Sequence, residues 1–191
     1  MSVIDATHFA VLGAGHGGQA LAGYLSLKGF KVNLYNRSSD RLNSLRLMGG
    51  VQVEGEIQGF APLNVVTSNI EEAIKDAEII MVVVPATGQR FMAENLVPFL
   101  KDGQIIVLNP GRTGGALEFR QIFKERNVTV EVIISEAQTF LFASRISGPA
   151  QVKIFRIKNS IPVAAIPAYK TVEVVTALRK ALPQFVPEDN V

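Results

Sequence analysis

"VLGAGHGGQA", residues 11–20, decides how this chain is read. Gly13, Gly15 and Gly18 stand in the spacing G-x-G-x-x-G. The spacing alone is a weak signal, and its setting strengthens it. "THFAVLG" (7–13) reads as a buried strand, and beyond Gly18 the apolar residues Leu21, Ala22 and Leu25 recur on one helical face. "KVNLY" (31–35) then reads as a second strand. In a strand–turn–helix unit each glycine has a physical role. Gly13 turns the chain sharply, Gly15 lets backbone approach a pyrophosphate, and Gly18 lets the helix pack closely on the sheet. The first-turn N–H groups near His16 to Gly18 would face the anion, helped by the helix dipole. The whole loop, Gly13, Ala14, Gly15, His16, Gly17 and Gly18, is therefore the expected pyrophosphate site. His16 falls in the variable part and is expected on the phosphate side or exposed. An acid–base role does not suit it, because hydride chemistry occurs at the far end of an extended dinucleotide.

Outward from this loop, apolar runs alternate with helical periods. Gly29 sits where a C-cap glycine belongs. "SDRLNSLRLMGG" predicts a short helix with a Ser/Asp start and a double-glycine stop. "VQVEGEI" and "FAPLNVV" alternate and predict a hairpin or two edge strands. "IEEAIKDA" predicts a helix feeding "EIIMVVVP" (78–85), a continuous apolar run of the central parallel kind. A helix near 88–100, a strand at 104–109, a helix near 114–125 and a strand at 128–134 follow. "FLFASRIS", "AQVKIFRIK" and "IPVAAIP" are short strands, and a last helix spans roughly 168–182 with Val175, Leu178 and Leu182 on one side. The expected fold class is α/β, a Rossmann-type doubly wound, mostly parallel sheet with extra C-terminal strands and a closing helix. Residues 1–185 are expected to form this domain, and 186–191 to begin a linker.

Composition narrows the function classes. The 191 residues are 48% hydrophobic and 19% charged, which suits one domain with a substantial core. There is no cysteine, so neither a disulfide framework nor a thiolate metal site can form. The net charge of +2 comes from scattered Lys and Arg, which does not indicate a nucleic-acid surface. No apolar run is long enough for a bilayer helix, and "MSVIDATHF" lacks a signal-peptide layout. A cytoplasmic protein is expected.

The end of the second strand, "LYNRSSDR", bears on the choice of cofactor. A site for NAD commonly places Asp or Glu here to accept from the ribose hydroxyls. Asn36 stands there instead, followed by Arg37 and Ser38. An amide does not repel a 2′-phosphate. Arg37 can pair with that phosphate, stack on adenine, or do both, and Ser38 and Arg41 can add donors. NADP is expected over NAD. Asp40 could instead take the ribose, but it lies inside the start of the next helix.

Ligands of doubly wound sheets cross the C-terminal strand ends. The Pro85–Thr87 backbone is expected beside the ribose and nicotinamide half. Asn109 and Arg112 could reach the nicotinamide or an acidic substrate, although Asn109-Pro110-Gly111 also reads simply as a turn. Glu136 reads as a helix cap or ion-pair partner near the same cleft. Phe140 and Phe142 read as core residues on one strand face, and His8 as structural.

"GAGHGGQALAGYLSLKG", "VVVPA", "LNPGRTGGALEF" and "TFLFASR" together resemble the opine dehydrogenases, the octopine/nopaline dehydrogenase family, over about residues 8–190. More distantly the layout is similar to ketopantoate reductase. The resemblance implies reduction, by NAD(P)H, of the imine formed from an α-keto acid and an amino acid. It also implies a second, helical domain carrying a His–Asp catalytic pair. Neither His8 nor His16 matches that His, so no catalytic residue is assigned here. The missing domain is expected in cis or in trans. A keto-acid reductase and a non-catalytic NADP-binding sensor are the alternative readings. An uncovered part of the closing helix would favour a homodimer.

Overall fold

The computed structural model describes residues 8–111 and 114–191. In chain order, β1 (His8–Leu12), α1 (His16–Leu27) and β2 (Lys31–Tyr35) form the first unit. A 3₁₀ turn and α2 (Asn43–Met48) lead into β3 (Gly50–Gly55), β4 (Gly59–Pro62) and β5 (Val65–Thr67). Then come α3 (Ile70–Ile74), β6 (Ile79–Val82), α4 (Ala86–Leu96), β7 (Ile105–Leu108), α5 (Gly115–Glu125) and β8 (Ile133–Ala137). The last part holds β9 (Phe142–Gly148), β10 (Gln151–Ile157), β11 (Ile161–Ile166), α6 (Thr171–Leu178) and β12 (Phe185–Pro187).

The main sheet runs β12-β11-β8-β7-β6-β1-β2-β5, and only the β8–β11 pairing is antiparallel. The strand order reverses beside β1, as in a doubly wound α/β fold, so the expected class holds. Alternation along the central strands sorts the core into two layers. Phe9, Val11, Met81 and Val107 face α1 and α6, whereas Ala10, Leu12, Ile80 and Leu108 face α3, α4 and α5. With both faces covered, the central strands read as unbroken apolar runs.

A second sheet, β4-β3-β10-β9, covers the outer side of α1. Its inward residues Val51, Val53, Ala61, Val152 and Ile154 are buried in the same layer as Leu21 and Leu25. Helix α1 is thus packed between two sheets, which explains its apolar surround. The extra C-terminal strands expected from sequence divide accordingly: β9 and β10 join β3 and β4, while β11 extends the main sheet.

Three local expectations are corrected. "FAPLNVV" is not one strand: Gly59–Pro62 pairs with β3, and Val65–Thr67 pairs with β2 in the other sheet. The switch is fixed by Leu63 and Asn64, whose N–H groups donate to Gly49 and Val32. The strand expected at 128–134 is Ile133–Ala137. Val128 donates to the Phe123 carbonyl and Glu131 to the Asp102 carboxylate (2.7 Å), so the alternating valines before Ile133 make no ladder. Phe140 precedes β9 and does not share its strand with Phe142. The last strand of the main sheet, β12, reaches Pro187, and the Glu188 N–H donates to the Val163 carbonyl.

The helix expected over 168–182 is α6, Thr171–Leu178, preceded by a 3₁₀ turn at Ala168–Lys170. This segment is half covered: Val174, Val175 and Leu178 of α6 and Leu182 beyond it are buried, while Val172 on α6 and Tyr169 in the 3₁₀ turn are 68% and 80% exposed.

Candidate functional site

The C-terminal ends of β1, β2, β6 and β7 form the upper edge of the main sheet. Gly13 follows β1 with φ +118°, and its N–H donates to the Tyr35 carbonyl at 2.8 Å. A side chain there would strike the Val83 carbonyl. Gly18 sits so close to the Gly13 carbonyl that no Cβ fits between them. Both glycines are demanded by the protein's own packing. Gly15 differs: its φ is −75°, and a Cβ built on it meets nothing within 4 Å. Nothing among the described residues requires glycine at that point, so the open space is what a close-lying anion would use. Helix α1 begins at His16 with no side-chain cap at Gly15 and no acidic residue in its first turn. Its leading N–H groups therefore keep their donor capacity for a ligand.

The loop opens into a cleft of about 480 Å³. Gly13, Asn36, Arg37, Ser38 and Arg41 line one side, and Val84, Pro85, Thr87, Gly88, Phe91 and Met92 the other. Of the expected ligand residues, Gly13, Asn36, Arg37, Ser38 and Pro85 thus meet in one place, with Ala14 to Gly18 adjoining along the chain. Asp40 does not line it. Asn36 is committed in both directions: its Oδ1 accepts from the Ala14 N–H at 3.1 Å, and its Nδ2 donates to the Ser38 carbonyl at 3.0 Å. Asn36 thereby fastens the glycine loop to the end of β2.

Arg37 lies over the Phe91 ring, 5.1 Å from its centroid. Among the described residues neither Arg37 nor Arg41 forms an ion pair. Two exposed cations and a hydroxyl residue thus gather at one end of the cleft without a carboxylate to neutralise them. Burial pushes the nearby Tyr35 hydroxyl up from its ordinary range, and the Arg37 charge opposes that rise. Phe91 is not evident from sequence. Its only sequence signal is an aromatic residue on the first turns of the helix after "VVVPA", which says nothing about an arginine from the loop beyond β2.

The remaining expected residues sit elsewhere. Asn109 is buried, and its amide donates to the Val107 carbonyl at 2.9 Å; it does not line the cleft. Arg112 lies outside the described residues. Glu136 is a helix cap, its Oε2 accepting the Ala116 N–H at 2.9 Å, and burial raises its carboxyl above the ordinary range. His16 is exposed, and its Nδ1 accepts from the Ile146 N–H at 2.9 Å. Phe140 presses on Gly17, where a Cβ would come within 2.9 Å of its ring.

The described residues contain no group of three or more potential metal ligands, and no helix among them is long and apolar enough to cross a membrane.

Comparisons with known proteins agree with this geometry. Residues 8–149 match the family model described as NAD-dependent glycerol-3-phosphate dehydrogenase N-terminus. The opine dehydrogenase of Arthrobacter sp. (strain 1C) is 40% identical over 190 residues, covering 99% of this chain and 53% of that protein. Octopine dehydrogenase, solved with NADH and pyruvate, superposes with a TM-score of 0.84 at 22% identity, over 96% of this chain and 50% of that one. Yersinopine dehydrogenase with NADP+ bound superposes with a TM-score of 0.72 at 18% identity, over 98% and 49%. The chain spans about half the length of the opine dehydrogenase it matches. The chain belongs to the NAD-dependent glycerol-3-phosphate dehydrogenase N-terminus family, an NAD(P)-binding dehydrogenase domain, and along nearly its whole length it resembles opine dehydrogenase.

Proposed function

We propose that this chain is the NADP(H)-binding part of an opine-dehydrogenase-like oxidoreductase, which reduces the imine formed from an α-keto acid and an amino acid. The observation that carries the cofactor choice is the pair Arg37 and Arg41, which form no ion pair among the described residues and lie beside Ser38 at one end of the cleft. A guanidinium matches a phosphate's geometry through paired N–H donors, and a 2′-phosphate distinguishes NADP from NAD. The glycine loop fits the pyrophosphate, because the space above Gly15 is open and the first turn of α1 offers bare N–H groups.

When bound, the cofactor supplies the hydride. This chain's residues hold and orient it. Asn36 fixes the loop, Arg37 and Phe91 clasp the adenosine end, and Val84 and Pro85 form the cleft wall along the strand ends. An imine gains electrophilicity when protonated, so an acid–base group must stand beside it. That group belongs to the helical domain, reached in cis or in trans. The similarity to opine dehydrogenase over 99% of the chain supports the amine substrate class.

Fluorescence titration with NADPH and NADH tests the cofactor reading; equal dissociation constants defeat the NADP preference. NADPH oxidation by the chain joined to its helical domain, with pyruvate and a panel of amino acids, tests the reaction. Oxidation of glycerol 3-phosphate in place of imine reduction would favour the reading suggested by the family model. The exposed Tyr169 and Val172 support a homodimer, which sedimentation would reveal.

A further inference from the structure

The ring of His16 faces away from the role its position suggests. It stands at the first residue of α1, inside the glycine loop, yet its Nδ1 accepts the N–H of Ile146 at 2.9 Å. Its backbone carbonyl accepts the Ser144 hydroxyl at 3.3 Å. Ile146 and Ser144 belong to β9, the edge strand of the second sheet, some 130 residues away in sequence. Phe140, just before that strand, packs its ring on Gly17 and stands edge-on to Phe142, 5.6 Å between centroids. Three contacts from one segment, 140–146, therefore hold the two residues that begin the helix.

An edge strand leaves backbone donors unpaired. Here one of them is taken by an imidazole nitrogen. To accept at Nδ1 the ring must leave that nitrogen unprotonated, which puts the proton of the neutral ring on Nε2. The ring cannot use Nδ1 to donate to a phosphate while this bond stands.

We infer that His16 is a positioning residue, which ties the pyrophosphate-binding turn to the second sheet through Ile146 and Ser144 and so sets the aim of the first-turn N–H groups. The inference rests on the glycine loop holding a dinucleotide, as proposed above. By this inference the four-stranded sheet braces the start of α1 from the side opposite the main sheet.

NADPH titration of the whole chain, together with amide exchange at Ile146, tests this role. His16→Ala loses the acceptor and is expected to weaken NADPH about three- to tenfold while speeding exchange at Ile146. His16→Asn puts an acceptor oxygen the same number of bonds from the backbone as Nδ1, and is expected to restore both. Ser144→Ala, mild and remote from the cleft, is expected to weaken NADPH about two- to threefold. His16→Ala binding NADPH as tightly as the wild type overturns the inference. So does a His16→Asn chain that protects Ile146 yet still binds weakly, since the ring would then be a ligand through Nε2. If His16→Ala does not fold, His16→Asn and Ser144→Ala decide the matter alone. A wild-type chain that takes up no NADPH defeats the proposed function itself, whereas uptake that is indifferent to these variants defeats only the positioning role.

Discussion

The side-chain oxygen of Asn36 accepts the backbone N–H of Ala14 at 3.1 Å, while its NH₂ group donates to the Ser38 carbonyl at 3.0 Å. Asn36 is thus a strut between the glycine loop and the turn carrying Ser38 and Arg37. Asn36→Asp keeps the acceptor for Ala14, loses the donor to Ser38 and adds a charge beside the proposed 2′-phosphate end of the cleft. Like charges repel, so NADPH affinity should fall about tenfold or more while NADH affinity holds or rises. Parallel titrations read the ratio, and an unchanged ratio refutes the assignment of this end of the cleft.

Arg37→Ala removes the guanidinium proposed to pair with the 2′-phosphate, together with its contact on Phe91. Charge-assisted hydrogen bonds contribute about 1.5–3 kcal/mol, so NADPH should bind roughly ten- to a hundredfold more weakly. NADH should suffer only from the lost stacking surface, a few-fold. Phe91→Ala should weaken both cofactors alike. Isothermal titration of the four combinations separates charge from stacking.

Two glycines of the same motif should respond in opposite ways. Gly15→Ala has an ordinary φ and open space around the new methyl, so its Tm should match the wild type within a degree or two while cofactor binding collapses. Gly18→Ala drives a methyl into the Gly13 carbonyl and should cost at least about 2 kcal/mol of stability. Thermal unfolding with and without NADPH distinguishes them. A Gly15→Ala protein that binds normally removes the reason for placing the pyrophosphate there.

Glu136 makes a pH-dependent contribution. Burial raises its carboxyl above the ordinary value of 4.5, and the Ala116 N–H only partly offsets this. A carboxyl raised on folding binds its proton more tightly in the native chain. Its favourable contribution is therefore present at low pH and lost as pH rises from the ordinary value through the elevated one. Glu136→Gln keeps an acceptor for the helix cap without the charge. Relative to wild type it should gain stability as pH climbs above the carboxylate range, with no such gain well below it. Glu136→Ala loses the cap and should cost about 1 kcal/mol. Denaturant melts across pH 3–8, roughly, follow both; a flat difference for Glu136→Gln contradicts the raised carboxyl.

How much is legible in the sequence depends on the range of the forces involved. Central strands buried on both faces announce themselves as "FAVL", "IIMVVV" and "IIVL", because their burial is continuous and local. The strand expected at 128–134 is displaced because Val128, Val130 and Val132 alternate as a strand would, while backbone donors of this segment go to a helix end and an Asp carboxylate. Periodicity reports which side chains want burial and is silent on where main-chain donors go. The split of "FAPLNVV" between two sheets is hidden for the same reason, since the pairing partners Gly49 and Val32 lie outside the segment.

The chain by itself determined the glycine turn between β1 and α1, the succession of parallel strands and the amide in place of a carboxylate after the second strand, because each rests on neighbouring residues and on steric rules a few positions long. Tertiary structure alone decided that Arg37 meets Phe91, that Asn109 turns inward to Val107, and that β9 reaches back to hold His16. Those contacts join segments between 54 and 130 positions apart, or depend on which face a buried amide can find a carbonyl. Such choices are made by packing and hydrogen-bond satisfaction across the whole core, and no local pattern of residue types encodes them.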